Sequence, residues 1–298
     1  MVTRIPKLYG GLEIGGSKMV CATGYADGTI SDRQSFETTV PAKSIPLIID
    51  YFKNKEICAL GIGSFGPVDV NPDSPTYGTI LDSPKIPWQH YPLKKVLEEA
   101  LNVPIMVDSR VNGACLGEMT FGCAEGMDNV GYVTIGSGIG AGMAVNGRLV
   151  HGMGHPEFGH ILVSRLPGDA YKGSCPFHPN CFESLASGPA IEERWGSKAE
   201  SLAGRPEVWE MEADYIAQGL MVMVLTISPR KIILGGGVMA QLQLFPIIRR
   251  KLCEKLAGYI HTKELDDIDE YVVPASLSDD QGIMGAIQLG VLAEIGRD

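Results

Sequence analysis

The chain is short of positive charge: 25 lysines and arginines stand against 35 aspartates and glutamates in 298 residues, for a formal net charge of −10. Nucleic-acid binders need a basic face to meet the phosphate backbone, so this balance excludes that class. No uninterrupted apolar run reaches membrane-spanning length, and the opening "MVTRIPKLYG" lacks the apolar core of a signal peptide. The expectation is a cytoplasmic protein with neither membrane nor nucleic acid among its partners. A disulfide framework is also missing. The seven cysteines are an odd number, and Cys21, Cys58, Cys115, Cys123 and Cys253 stand apart in apolar or helical contexts, where a free thiol acts as a small hydrophobe. Only Cys175 and Cys181 lie close together, which fits a reducing compartment with one candidate metal site.

What the sequence does contain is one pattern written twice, in a length that suits two domains. "KLYGGLEI", "GGSK", "MVCATGYA", "DG" and "TISDRQSFE" read as strand, glycine turn, strand, turn, strand, with Asp27-Gly28 as the hairpin signal. "NVGYVTI", "GSGIG", "AGMAV", "NG" and "RLVHG" repeat it near the middle, with Asn146-Gly147 in the second turn. Helical periodicity marks "IPLIIDYFKN" and "YPLKKVLEEALN", and buried strands are expected at "ICALGIGSFG" and "VPIMVDS". The later chain adds helices at "SGPAIEERWG", "WEMEADYIAQGLMVMVLTIS", "LFPIIRRKLCEKLAGYI" and "QGIMGAIQLGVLAEIG", with strands at "RKIILGGGVM" and "EYVVPASL". Alternation of this kind predicts α/β layers.

The glycine loops "EIGGSK" and "IGSGIG" each join two strands, so neither is a P-loop nor a Rossmann turn, both of which open a helix. Their N–H groups, with the Ser17 or Ser137 hydroxyl, can cradle phosphate oxygens, although either loop alone also reads as an ordinary hairpin turn. Two such loops and a third glycine run at Gly235-Gly236-Gly237 point to a nucleotide clamped between two lobes.

"GLEIGGSK", "GIGSFGPVDVNPDSPTYGTI", "VNGACLGE", "YVTIGSGIGAGMAVNGRLVHGMGHPEFGHI", "ASGPAIEERWG" and "KIILGGGVM" together resemble the bacterial fructokinases of the ROK group (repressors, open reading frames, kinases). The resemblance covers nearly the whole chain. It implies two actin-like (ribonuclease-H-like) lobes with a nucleotide and sugar cleft between them, and a homodimer. ROK repressors match less well, because they carry an N-terminal DNA-binding domain and this chain starts at the first phosphate loop. The expected division is 1–118 for the first lobe, with a final helix 282–298 packing back on it, and 119–281 for the second lobe, with a metal loop at 155–185.

The resemblance implies roles for particular residues. ATP would be held by Gly15, Gly16, Ser17, Lys18, Gly136, Ser137 and Gly138, with adenosine near Gly188-Pro189 and Gly235 to Gly237. Lys18 and Glu13 also read as plain charges on a hairpin edge. As the resemblance has it, Glu13 would face the Mg²⁺ that accompanies ATP. Gly66, in the rigid Gly66-Pro67 turn after a buried strand, would lie against the sugar, and Asn112, Glu157 and His160 would hydrogen-bond its hydroxyls. Cys175, His178 and Cys181 repeat at three-residue steps, and His160, added by the resemblance, completes two thiolates and two imidazoles for a structural Zn²⁺. A zinc on one imidazole nitrogen of His160 would leave the other for the sugar. The expected reaction is transfer of the γ-phosphoryl group of ATP to a hexose, fructose first, with glucose, mannose or an N-acetylated hexose as alternatives.

The chain departs from the resembled pattern in "VDSRVNGACLGE". The family's Asp-x-Asn motif supplies the general base as its Asp, and aligned on Asn112 that position is Arg110, whose guanidinium stays protonated. In a continued strand, Asp108 and Arg110 would share a face. Three readings follow: Asp108 takes the base role; Arg110 pairs with Asp108 in a weak kinase or inactive sugar binder; or Arg110 is a lone substitution in an otherwise intact fructokinase. "SLSDDQGIMG" is a second departure, with Asp279 and Asp280 adding negative charge where the resembled family usually has a glycine-led loop of asparagine and alanine.

Overall fold

The computed structural model describes residues 6–296; residues 1–5 of the opening segment and 297–298 of the expected last helix lie outside them. The chain forms two compact units, Met1–Gly126 with Leu149–Pro156 and Ser276–Asp298, and Met127–Arg148 with Glu157–Ala275. The first unit contains strands β1 (Leu8–Ile14), β2 (Lys18–Gly24), β3 (Ile30–Glu37), β4 (Ile57–Ser64) and β5 (Ile105–Ser109). Its helices are α1 (Pro41–Phe52), α2 (Leu93–Leu101) and α3 (Arg110–Phe121). The second holds β6 (Val130–Ile135), β7 (Ile139–Val145), β8 (Arg148–Leu149), β9 (Lys231–Gly235) and β10 (Val272–Pro274). Its helices are α4 (Phe182–Ala186), α5 (Gly188–Trp195), α6 (Pro206–Ile227), α7 (Leu244–Leu256), α8 (Lys263–Asp266) and α9 (Ile268–Tyr271), and α10 (Gln281–Ile295) returns to the first unit.

The repeat read from the sequence is a repeat of topology. The sheet orders are β3-β2-β1-β4-β5 and β10-β9-β6-β7-β8, which are the same order in the two units once each is counted from its own first strand. In each, a glycine loop joins an antiparallel pair, β1 with β2 and β6 with β7, and the later strand β4 or β9 adds in parallel to the first. The second turns follow their dipeptides: Gly28 has φ +87°, and Asn146 and Gly147 have φ +53° and +73°. Asn102 ends α2 in the left-handed conformation, as its sequence position predicts.

In the first unit, Leu12, Ile14, Met19, Ile48, Phe52, Leu60, Ile62 and Trp88 form the core on one face of the sheet. The other face is built from small residues so that α10 can reach the backbone. A Cβ at Gly285 would fall 1.7 Å from the carbonyl oxygen of Gly113, one at Gly61 1.9 Å from that of Ala286, and one at Gly117 2.2 Å from that of Gln281. These neighbours are backbone atoms and cannot swing away. Gly285→Ala is therefore expected to cost about 3 kcal/mol, at the upper end of ordinary overpacking, and to lower Tm by roughly 6–10 °C. Gly204→Ala, where an added Cβ meets nothing within 4 Å, should leave the melt unchanged in the same scan.

The first unit runs past the expected end at 118 and also takes in 149–156. The reason is local. Helix α3 continues to Phe121, and the buried Glu118 carboxylate accepts from the backbone N–H of Cys123 (3.2 Å), the N–H of Ser276 (2.7 Å) and the Ser276 hydroxyl (2.6 Å). The departure at Asp279-Asp280 has a partial physical account. Ser278 and Asp279 take positive φ, and Asp280 stands at the N-terminus of α10, where negative charge is favoured, in an ion pair with Arg33. Among the described residues no helix is long and apolar enough to cross a membrane.

Candidate active site

Each glycine loop closes tightly on its own strands. In the first, Gly15 N–H donates to the Lys18 carbonyl at 2.8 Å, and Thr38 fixes the loop from β3's end through its hydroxyl to the Gly15 carbonyl (2.9 Å) and its N–H to the Ser17 carbonyl (2.9 Å). Gly16, Ser17 and Lys18 are left exposed. A Cβ on Gly16 would lie 3.4 Å from Lys85 Cε, so a second lysine stands over the loop that sequence reasoning did not single out. Gly66 follows β4 in a cis Gly66-Pro67 peptide.

In the second unit, three segments far apart in sequence converge. Gly188 N–H donates to the Gly136 carbonyl at 2.7 Å, and Gly136 N–H to the Gly138 carbonyl at 2.9 Å. A Cβ on Gly136 would stand 3.6 Å from the Gly237 nitrogen, and one on Gly236 (φ +89°) 2.5 Å from the Ile135 carbonyl oxygen. Gly235 is packed under the Tyr132 ring. Gly188 and Pro189 open α5, capped by the Ser187 hydroxyl, so amide-rich backbone surrounds Ser137. Glycine backbone of this kind lets an anion or a flat ring approach closely, and on its Gly138 side the loop is closed by the Glu183 carboxylate, which accepts from Ile139 N–H at 2.7 Å.

Asp108 and Arg110 do not share a strand face. Strand β5 stops at Ser109, whose hydroxyl accepts from Asn112 N–H at 3.2 Å as the N-cap of α3, and Arg110 is already the first helical residue. The cap turns the chain, and the two side chains part. Arg110 Nε donates to Glu13 Oε1 at 2.6 Å, so the pairing expected with Asp108 goes to Glu13 on β1. One guanidinium nitrogen then reaches to 3.5 Å from where a Cβ on Gly15 would be.

Asp108 is buried, with 3% of its surface exposed, and both its oxygens are taken. Oδ1 accepts from its neighbour's N–H, Ser109, at 2.6 Å and from Asn112 Nδ2 at 2.9 Å, while Oδ2 lies 2.9 Å from His151 Nε2. The carboxylate fixes which end of the Asn112 amide faces it. Asn112 Oδ1 is thereby left buried with no hydrogen-bond partner among the described residues. Sequence reasoning missed His151, which lies two residues past β8 in a segment that reads as the end of a strand. Its bond to Asp108, and then the charge of Asp108, hold its imidazole above the ordinary value of 6.5 against the opposing effect of burial.

The metal run folds as a cluster. One ligand atom from each of His160, Cys175, His178 and Cys181 lies within 4.8 Å of the others. His160 Nδ1 faces both thiols, 3.8 Å from Cys175 Sγ and 3.7 Å from Cys181 Sγ, so Nε2 is the nitrogen turned away. Burial pushes the Cys181 thiol up to about 11, aided by Cys175 and opposed by the Ser184 N–H. Glu157 stands just ahead of the single helical turn Phe158–His160, exposed, and its carbonyl accepts from His160 N–H at 3.0 Å.

Two sheets of one topology, each with a glycine loop on its first hairpin, define the actin-like, ribonuclease-H-like class of two-lobed α/β proteins. The chain belongs to the ROK family, whose model matches residues 9–291. It is 50% identical over 283 residues to a Bacillus subtilis (strain 168) protein, covering 95% of each chain. It is 42% identical over 286 residues to a fructokinase of Pediococcus pentosaceus, covering 96% of this chain and 98% of that one. Among solved structures, a ROK family glucokinase from Streptomyces griseus in complex with glucose and AMPPNP is similar with a TM-score of 0.74 and 25% identity, over 95% of this chain and 99% of that one. A ROK hexokinase from Thermus thermophilus shares the fold at a TM-score of 0.76 over 96% and 98% of the two chains.

Proposed function

We propose that the chain is an ATP-dependent fructokinase that transfers the γ-phosphoryl group to the 6-hydroxyl of D-fructose. The observation that carries the sugar site is Asn112: an amide locked by a buried carboxylate, with its oxygen buried and unpartnered. A sugar hydroxyl donating to Oδ1 removes that desolvation cost, which is how a site built to bind hydroxyls discriminates. The choice of fructose rests on the relatives, of which the Pediococcus pentosaceus fructokinase is one.

The first unit offers the phosphates Gly15, Gly16, Ser17 and Lys18, and the sugar Gly66 and Asn112. The second offers Gly136, Ser137 and Gly138 to phosphate, Gly188, Pro189 and Gly235 to Gly237 to adenosine, and Glu157 and His160 to the sugar. Mg²⁺ bound with ATP supplies charge neutralisation on the transferring group. Glu13 reaches it through water only when it is not holding Arg110. His160, Cys175, His178 and Cys181 fit Zn²⁺ in donor type and number, and their role is structural. The working form is a cytoplasmic homodimer.

An acceptor panel read by ADP release with Mg·ATP tests the reading. Fructose is expected to exceed glucose, mannose and N-acetylated hexoses by at least about tenfold in kcat/KM, the span that pocket geometry commonly supplies. Equal rates with glucose would make the chain a general hexokinase. The Arg110–Glu13 ion pair favours a second reading, a sugar and nucleotide binder with weak or no turnover. Thermal stabilisation by fructose and ATP without ADP release would establish it.

A further inference from the structure

With Arg110 at the family's base position and both Asp108 oxygens already hydrogen-bonded, neither of these two residues is open to take the proton of the attacking hydroxyl. We infer that His151 is the proton acceptor of this chain, working through Nδ1 with Asp108 as the residue that orients it. The inference rests on the sugar-kinase reading and names a further catalytic residue for it.

The geometry sets the tautomer. His151 Nε2 lies 2.9 Å from Asp108 Oδ2, and an imidazole lone pair at that distance from a carboxylate would be repelled, so Nε2 carries the hydrogen and donates it. With the hydrogen on Nε2, the Asn112 Nδ2 contact at 3.2 Å is not a hydrogen bond, since both nitrogens are donors, and Asn112 is held instead through its bond to Asp108 Oδ1 at 2.9 Å. Nδ1 is therefore the basic nitrogen, and it makes no hydrogen bond among the described residues. A buried carboxylate behind an imidazole that is partly open to solvent is the arrangement that readies histidine as a general base. The dyad is also bonded to Asn112, the residue proposed to hold the sugar, so acceptor and substrate ligand belong to one hydrogen-bonded group.

In the step itself, the sugar oxygen forms a bond to the γ-phosphorus of the nucleoside triphosphate as the bond from that phosphorus to the departing nucleoside diphosphate breaks. The hydroxyl proton passes to Nδ1, and the imidazolium then releases it to solvent. Asp108 from β5 is the charge that acts on His151, and Asn112 from α3 adds a neutral amide. Because that carboxylate favours imidazolium, turnover requires a pH above the ordinary histidine value of 6.5.

The test compares the unaltered chain, His151→Asn, Arg110→Asp and the double variant, with fructose and Mg·ATP. The expected result is a fall in kcat of about 10²-fold or more in His151→Asn, with fructose affinity by calorimetry held within a few-fold, and little such loss in the double variant, where an aspartate again takes the proton. The pH profile of the unaltered chain should show an acid limb with a midpoint above 6.5, and Arg110→Asp should move that limb toward the carboxylate range. This second readout needs no variant of His151 to fold. The inference is overturned if His151→Asn keeps kcat within about threefold. It is overturned too if the unaltered chain is inert while Arg110→Asp turns over, an outcome that leaves the sugar-kinase reading standing. If neither turns over any hexose, both fall.

Discussion

Arg110→Asp is expected to raise the rate of fructose phosphorylation by at least tenfold, with the KM for fructose changed by no more than a few-fold. A positioned general base contributes roughly 10²–10⁴-fold, and the histidine route offers part of that range already. The variant should fold. Position 110 is the first residue of α3, where an acidic side chain interacts favourably with the helix N-terminus and an arginine does not. The Arg110 side chain is 47% exposed and touches Glu13, not the Asp108, Asn112 and His151 group, so sugar binding should survive the change. The substitution also frees the Glu13 carboxylate, which is mostly buried, for the Mg²⁺ role proposed for it. A fall in kcat would carry a different meaning. The Arg110 guanidinium hangs beside Gly15 in the first glycine loop, and an arginine there can stabilise charge on a transferring phosphoryl group. Steady-state ADP release on the two chains at one pH separates the outcomes.

How far the sequence revealed these features depended on how local each one was. The hairpins were legible because Asp27-Gly28 and Asn146-Gly147 specify turns within a few residues, and the glycine at each second position takes positive φ. The cysteine and histidine cluster was legible because three of its four residues lie within one short run, and the folded chain brings all four together. The partners of the DSR segment were not legible. One serine hydroxyl decides that β5 ends at 109 and that Arg110 opens a helix, and the glutamate it then meets is 97 residues away. His151 is 43 residues from Asp108 and sits in a stretch whose composition resembles a strand. Neither pairing leaves a periodic or compositional trace, since an ion pair or a buried hydrogen bond constrains two positions and nothing between them. The glycines of α10 fall between these cases. Their segment reads as a helix, but only the fold says that these glycines let it approach the backbones of α3 and β4.

Cys181→Ser is expected to abolish stoichiometric zinc, lower Tm by several degrees and cost about 10–100-fold in kcat/KM for fructose, the range in which supports of a metal site usually act. Serine is the informative replacement. The Cys181 sulfur also caps α4 by accepting from Ser184 N–H at 3.4 Å, and a hydroxyl makes a better N-cap than a thiol. The helix start is therefore kept, and the loss falls on the metal alone. Without a cation, a thiol held near 11 stays protonated at neutral pH, whereas a coordinated thiol is deprotonated outright. Metal uptake should then release protons and weaken steadily as the pH is lowered, which a titration with a zinc indicator reads directly. On the proposed reading His160 would link the cluster to the sugar, because Nδ1 turned to the two sulfurs leaves Nε2 as the nitrogen a hydroxyl can meet. A chelator that strips the metal should accordingly raise the KM for fructose before it unfolds the protein. Were zinc lost with fructose kinetics intact, His160 would owe its orientation to the surrounding turn, and its assignment to the sugar would have to be withdrawn.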